Sequence, residues 1–166
     1  MNSDIKILRY KVKVLLLLFM IGLLLSGLTA FPLKAEVNIL QKIIGTGTAI
    51  ESWFPRLSQW ITTVHAGIIQ ADKDYPFLFY GTDWLAFGHI VIAIAFIGPL
   101  IDPVKNIWVI TFGMISCILV VPLALICGPI RGIPFFWQLI DCSFGVFGII
   151  PLYFARRYTK RMIKIE

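Results

Sequence analysis

Charged residues are scarce in this chain of 166 residues, and that scarcity excludes an ordinary soluble protein. Only 14% of the residues are charged and 58% are hydrophobic, whereas soluble domains contain about 25% charged and about 45–50% apolar residues. Cysteine is scarce too: three cysteines cannot all pair within one chain, so a disulfide-stapled secreted fold is also excluded. The composition therefore indicates a membrane protein.

The sequence also lacks the short motifs that identify many enzymes. It contains no P-loop, no Gly-x-Ser-x-Gly, no His-Glu-x-x-His and no glycine-rich dinucleotide fingerprint. A catalytic domain of the soluble type has no room outside the apolar segments. We therefore favour a protein that is not an enzyme, and we name no catalytic residue.

Four long apolar segments are present, and each can cross about 30 Å of hydrocarbon as a helix. Membrane helices tolerate proline because neighbouring helices re-satisfy the freed carbonyl groups, so Pro122 predicts a kink and not an end in the third segment. The sequence predicts an all-α fold, a polytopic four-helix bundle that forms a single membrane domain. The four segments cover about residues 14–33, 84–101, 107–127 and 136–155.

The first segment has features of both a signal peptide and a membrane anchor. It begins with four basic residues between positions 6 and 13, and Leu-Thr-Ala precedes Phe31. Its apolar run is longer than the about 7–15 residues usual in a signal peptide. Leu28 is also a poor residue three positions before a cleavage point. We therefore predict an uncleaved anchor.

Basic residues are distributed unevenly between the two sides that these spans define. Positively charged segments of membrane proteins stay on the cytoplasmic side. The side that holds the termini has more basic residues, which predicts that both termini are cytoplasmic. Five basic residues fall on the opposite side: Lys34, Lys42, Arg56, Lys73 and Arg131. Ten fall on the side of the termini: Lys6, Arg9, Lys11, Lys13, Lys105, Arg156, Arg157, Lys160, Arg161 and Lys164.

The loop at about residues 34–83, periplasmic in this orientation, contains one predicted amphipathic helix at about residues 55–71. Its apolar side chains recur with the period of one helix face, and Pro55 suits the first turn. We expect this helix to lie outward, on the membrane surface or over the helix ends. The apolar face comprises Leu57, Trp60, Ile61, Val64, Ile68 and Ile69.

Four ionisable residues are predicted to lie near the periplasmic end of the spans. His89 and Asp141 each lie five residues into a span, about 7–8 Å below the interface, and Asp83 and Arg131 lie at nearly the same level. Ionisable groups in a bilayer are functional-site hypotheses by default. The cluster is interpreted either as an outward ligand-binding site or as an ion pair, Asp141 with Arg131 or His89, that joins helix ends.

Histidine and cysteine offer a redox alternative. His89, with or without His65, could hold haem, and quinone is the other candidate cofactor; the cofactor is otherwise unknown. Zinc is not predicted, because its ligands are usually closely spaced. Cys117, Cys127 and Cys142 form no Cys-x-x-Cys motif and are interpreted as structural.

Three stretches between Tyr75 and Leu152 are distinctive as strings: YPFLFYGTDWLAFGHIVIAIAFIGPLIDPVKNIWV, GMISCILVVPLALICGPIRGIPFFW and IDCSFGVFGIIPL. In these stretches the chain resembles a set of small bacterial inner-membrane proteins with no known activity. The resemblance covers nearly half of the chain and implies a location in the bacterial cytoplasmic membrane. No functional residue can be transferred from it.

The leading functional hypothesis is a non-enzymatic membrane component, either an accessory or scaffold subunit or a small-molecule-binding bundle. The alternatives are a redox protein that binds haem or quinone through His89, and a small oligomeric transporter that self-associates through Gly88 and Ala95. The expected partners are the lipid bilayer and another membrane protein or a second copy. Nucleic acid is not expected, because basic clusters beside a span more often meet anionic lipid.

Overall fold

The computed structural model describes residues 3–165. It is 88% helical with no strand in the described range, which confirms the predicted all-α helical bundle. Two short 3₁₀ helices, Ala49–Ser52 and Pro76–Phe79, lie between longer elements. The α-helices in chain order are α1 (Ser3–Ala30), α2 (Leu33–Ile44), α3 (Pro55–Asp74), α4 (Tyr80–Ala95), α5 (Ile97–Ile101), α6 (Ile107–Ile130) and α7 (Phe135–Ile165).

Four helical segments are long and apolar enough to cross a membrane, as predicted: Ser3–Ala30, Pro76–Ile101, Ile107–Ile130 and Phe135–Ile165. The protein is therefore a multi-pass membrane protein. The first and last helices are longer than their apolar runs, because residues 3–13 and 156–165 continue them as polar, basic helix. These two extensions lie outside the predicted spans at about residues 14–33 and 136–155.

The second span is interrupted, and proline explains where. Pro99 has no N–H to donate to the carbonyl of Ala95, four residues earlier, so α4 ends at Ala95 and α5 begins at Ile97. The N–H of Phe96 bridges the break by donating to the carbonyls of Ile92 (3.3 Å) and Ala93 (3.2 Å). Pro122 lies inside the continuous helix α6, and the kink predicted there remains a prediction.

The described chain divides into two compact units, each considered by itself. The terminal unit comprises the residues up to 24 and from 91 onward, and the hairpin unit comprises residues 25–90. α1 and α4 each contribute to both units. The predicted single membrane domain remains a prediction.

In the terminal unit, α6 and α7 pack as an antiparallel pair through glycines. An added Cβ at Gly145 would collide with the backbone carbonyl oxygen of Cys117, and one at Gly128 would lie 2.6 Å from the side chain of Gln138. Lipid provides no hydrophobic force between helices, so close backbone approach at small residues supplies the packing. Close packing of α6 on α7 therefore explains why Gly128 and Gly145 carry no side chain.

The two basic extensions pack against each other and form what we call the paired end, residues 3–13 of α1 with 156–165 of α7. The ammonium of Lys11 lies 5.7 Å from the ring centroid of Tyr158, a cation–π distance. Burial of apolar side chains on both helices explains why these polar segments stay helical. The core cluster that contains them includes Ile5, Val12, Leu16, Leu152, Ala155 and Met162.

In the hairpin unit, α2 packs against α3, with Val37 and Ile61 buried between the two helices. α3 begins at Pro55, as predicted, and runs three residues past the predicted end at 71. α2 was not predicted. It begins directly after Pro32, and its apolar face covers part of the face that the sequence analysis assigned to the membrane surface or the helix ends.

Candidate functional site

The α2–α3 interface carries a polar seam in addition to its apolar contacts. Lys34 on α2 forms an ion pair with Asp72 on α3. Near the turn between the two helices, the Thr62 hydroxyl donates to Gln41 Oε1 (3.1 Å) and accepts from the backbone N–H of Thr46 (3.0 Å). These pairs run in opposite order along the two helices, so the hairpin is antiparallel and joined along its length.

His65 belongs to this seam. Its Nε2 lies 2.8 Å from Asn38 Oδ1, and since an amide oxygen only accepts, the imidazole donates. The Ser58 hydroxyl, also on α3, is buried and, among the described residues, has no hydrogen-bond partner. The structure therefore gives His65 a role in holding α2 against α3.

Asp83 lies in the first turn of α4 beside a groove of about 310 Å³ that aromatic side chains line. Phe31, at the end of α1, contributes to it together with Tyr80, Trp84 and Phe87. The Trp84 ring meets those of Tyr80 and Phe87 edge to face, with centroids 5.9 and 5.7 Å apart. Such a groove suits a flat or chain-like apolar group.

His89 lies at a close helix crossing. An added Cβ at Gly27 of α1 would lie 2.6 Å from His89 Cβ and 3.2 Å from the carbonyl oxygen of Ala86. The His89 Nδ1 is 2.8 Å from the Leu85 carbonyl oxygen, so Nδ1–H donates within α4. In the neutral ring this bond leaves the lone pair on Nε2.

Arg131 ends α6 at a tight turn. Its backbone N–H donates to the carbonyls of Cys127 and Gly128, both at 3.1 Å, and Gly132 follows with φ +68°. The buried Gln138 of α7 donates to the Ile133 carbonyl at 2.7 Å and so fixes the same turn. Arg131 is exposed, and its described contacts belong to the turn.

Asp141 is half-buried in the second turn of α7. Within the described chain no ion pair joins it to Arg131. Asp83 and His89 belong to the hairpin unit, and they lie about 120° apart around α4 at 100° per residue. Arg131 and Asp141 belong to the terminal unit. The joint outward cluster therefore remains a prediction.

The cysteines are all free thiols. Cys117 is buried, and an added Cβ at Gly148 would lie 2.9 Å from its Sγ, so it packs as a small side chain between α6 and α7. Cys127 is exposed and Cys142 half-buried. Within residues 3–165, no three His, Cys, Asp or Glu side chains group in a way that would hold a metal ion.

The loop between α5 and α6 is the other polar centre of the terminal unit. The backbone N–H groups of Lys105 (3.1 Å) and Val104 (3.2 Å) donate to Asp102 Oδ1. The bond from Lys105, then the charges of Lys105 and Arg9, hold the pKa of the Asp102 carboxyl below its ordinary value. The Asn106 side chain donates to the carbonyls of Gly98 and Asp102 and closes the end of α5.

Sequence reasoning missed the residues that surround Asp83 and the helix that partners His65. Tyr80, Trp84 and Phe87 follow the i, i+4, i+7 spacing of one helix face, a signal that was present in the sequence. Asn38 had no comparable signal, because only the fold brings α2 against α3. Comparison with known protein families, curated proteins and solved structures finds no match to this chain.

Proposed function

We propose that this protein resides in the bacterial cytoplasmic membrane with both termini in the cytoplasm. The support is the resemblance described above and the distribution of basic residues, ten of fifteen on the side of the termini. Most of those ten residues lie in the paired end, where their positive charge opposes translocation. In this orientation the α2–α3 hairpin faces the periplasm.

Within that membrane the protein acts as a non-enzymatic component, an accessory or scaffold subunit that works by binding. The observation that carries this proposal is the polar seam of the hairpin. Lys34, Asn38 and Gln41 are engaged with partners on α3, so these side chains hold a fixed platform. In the same unit, the groove at Asp83 is open and aromatic, and such a surface can bind a small apolar molecule or a partner helix.

Native mass spectrometry of the protein, extracted from its own membrane in a mild detergent, tests this function. We expect a stoichiometric second polypeptide or a bound small molecule on the wild type, reduced in Trp84→Ala. Trp53→Ala is the matched control, since Trp53 is 81% exposed in the same unit and does not line the groove. A bare mass for the wild type, without any partner after chemical cross-linking in the membrane, would contradict the binding role.

A redox protein that binds haem or quinone through His89 is the second candidate. It is favoured by the bond from His89 Nδ1–H to the Leu85 carbonyl. Ligand histidines typically donate their second ring nitrogen in this way, which fixes the tautomer and leaves Nε2 for the ligand. His65, the other histidine of the hypothesis, donates through Nε2 to Asn38.

The two candidates differ in what His89→Ala removes. For a redox protein, the purified variant loses a visible absorption band or an extractable quinone while it remains folded. For a scaffold, the variant shows lower thermal stability and no change in bound mass. His65→Ala distinguishes a site that uses His89 alone from one that uses both histidines. A bis-histidine site requires that both variants lose the chromophore.

The third candidate, a small oligomeric transporter, requires several copies to assemble. An added Cβ at Gly88 would meet no heavy atom within 4 Å, and Ala95 is exposed, so both small residues are available to a second copy. Light scattering of the detergent-solubilised protein tests this candidate. We expect a Gly88→Leu variant to dissociate any oligomer formed through this face, and a wild-type monomer would exclude it.

A further inference from the structure

The paired end contains a groove that the proposed function does not use. It has a volume of about 430 Å³ and lies between the first turns of α1 and the last turns of α7. Two cationic side chains and three apolar ones face it, together with one carboxyl, Asp4, that already has an interaction partner. The lining is Asp4, Ile7, Leu8, Arg161, Lys164 and Ile165.

The position of the apolar runs predicts that the groove lies beyond the hydrocarbon. The apolar run of α1 begins at Val14, so Ile7 lies about 10 Å farther along the helix at 1.5 Å per residue. The headgroup region adds only about 5–7 Å on each side of the hydrocarbon. Ile7 and Ile165 are nevertheless 51% and 44% exposed, at a level that lipid chains are not expected to reach.

The charge around the groove is strongly positive. Arg161 and Lys164 are exposed in the lining itself, and the rest of the paired end adds five more exposed basic side chains. A second copy of the chain would bring like charges together, which disfavours self-association through this face. The five further cations are Lys6, Lys11, Lys13, Arg157 and Lys160.

The apolar lining also argues against nucleic acid. Phosphate contacts account for the basic residues of a nucleic-acid surface, but they leave Ile7, Leu8 and Ile165 without apolar partners. A groove with apolar lining and cationic side chains matches an amphipathic helix whose polar face is acidic. Such a helix would place its apolar side chains on the isoleucines and its carboxylates beside Arg161 and Lys164.

We propose that this groove docks an acidic amphipathic segment of a partner protein on the side of the membrane where the two termini lie. Charge attraction from the paired end guides the segment, and the apolar contacts hold it in one register. The inference extends the proposed accessory role. It uses no residue of the Asp83 groove, so the two proposals can fail separately.

Fluorescence anisotropy with the full chain in phosphatidylcholine nanodiscs tests the docking. The probe is a labelled synthetic helix with leucines on one face and glutamates on the other, compared with a scrambled peptide of the same composition. We expect Arg161→Glu with Lys164→Glu to weaken probe binding about tenfold or more. The matched control, Arg157→Glu with Lys160→Glu, makes the same charge change on the same helix outside the groove and should weaken it about threefold or less.

Ile7→Ser adds a variant that leaves the charge unchanged, and it should also weaken binding severalfold. Circular dichroism and thermal unfolding establish that each variant remains folded. Equal losses in the two double variants would reduce the effect to diffuse charge attraction and overturn the proposal. Equal binding of the scrambled peptide, or no binding of the probe to the wild type, would also overturn the proposal. The same holds if phosphatidylglycerol nanodiscs or a short DNA duplex bind the protein more tightly than the probe does through Arg161 and Lys164.

Discussion

Two antiparallel helix pairs in this molecule are held together in different ways. The α6–α7 pair lies in the spans and packs through Gly113, Gly128 and Gly145, where backbone and side chains approach too closely for a Cβ. The α2–α3 pair lies in the segment between two spans and is joined by Lys34–Asp72 and Asn38–His65 around a small apolar core. Glycine contacts hold the first pair, and side-chain bonds are prominent in the second.

The difference agrees with the solvent expected for each pair, lipid for the spans and water for the segment between them. In lipid, apolar side chains gain nothing by leaving the solvent, so helices associate where small residues allow many close contacts. In water, burial of Val37 and Ile61 supplies a driving force, and polar pairs select the register. The comparison predicts that the two pairs respond to different substitutions.

The largest effect is expected from Gly145→Leu, because its Cβ would collide with the backbone carbonyl oxygen of Cys117, which cannot move aside. Overpacking costs about 1–3 kcal/mol of unfolding free energy, and a collision with backbone should lie at the upper end of that range. Gly22→Leu is the control, since an added Cβ there meets nothing within 4 Å. Thermal unfolding in detergent measures both variants, and equal stability of the two would refute glycine packing of α6 on α7.

An intermediate effect of the opposite sign is expected from Ser58→Ala in the hairpin. The Ser58 hydroxyl is fully buried without a described partner, and its removal should stabilise the hairpin by about 1 kcal/mol. Slower hydrogen exchange of the α2 and α3 backbone amides is the measurement. Ser52→Ala is a suitable control, because its exposed hydroxyl bonds to the carbonyl of Ala49. Faster exchange in Ser58→Ala would mean that the hydroxyl has a stabilising role.

A smaller effect is expected from the seam itself. In a double-mutant cycle, Asn38→Ala and His65→Ala should show a coupling of about 0.5–1 kcal/mol, typical of one hydrogen bond. Hydrogen exchange in α2 reports it. The more exposed Lys34–Asp72 pair should show weaker coupling that falls as salt is added. Additive effects of the two alanines would show that His65 and Asn38 do not act together.

The smallest effect concerns the α5–α6 loop, where polar bonds stabilise a turn and join no helix pair. Since the folded state lowers the pKa of Asp102, its contribution to stability is present at neutral pH and is lost as the pH falls through the folded pKa, below about pH 4. The melting temperature of Asp102→Asn should therefore lie slightly below that of the wild type at neutral pH. The difference between the two melting temperatures should disappear on acidification. A gap that widens at low pH would contradict this sign.

The sequence was sufficient to predict the four spans and α3, because composition and a helical period mark them directly. The paired end was missed because the spans were identified by their apolar runs alone, although Lys and Arg are good helix formers. The burial of Ile5, Val12 and Met162 explains why these extensions are helical. α2 was missed for a related reason. Its row of Leu33, Val37, Leu40 and Ile44 begins where the first span ends, so the two apolar patterns merge.

The candidate site was predicted only as a set of depths. Counting residues along the spans placed Asp83 and His89 near one end, but partners depend on contacts between helices. The Leu85 carbonyl and the crossing at Gly27 define what surrounds His89, and neither can be read from spacing along one helix. The aromatic neighbours of Asp83 were readable, since three of them lie on α4 itself.

The pairing of α1 with α7 has a consequence for how the molecule is made. Ile5 and Met162 lie 157 residues apart in the sequence (162 − 5), yet both belong to one buried cluster. The hairpin unit is one continuous segment, so its contacts can form while synthesis continues. The terminal unit closes only after α7 has been synthesised, and a chain that stops before α7 leaves the buried face of α1 without its partner.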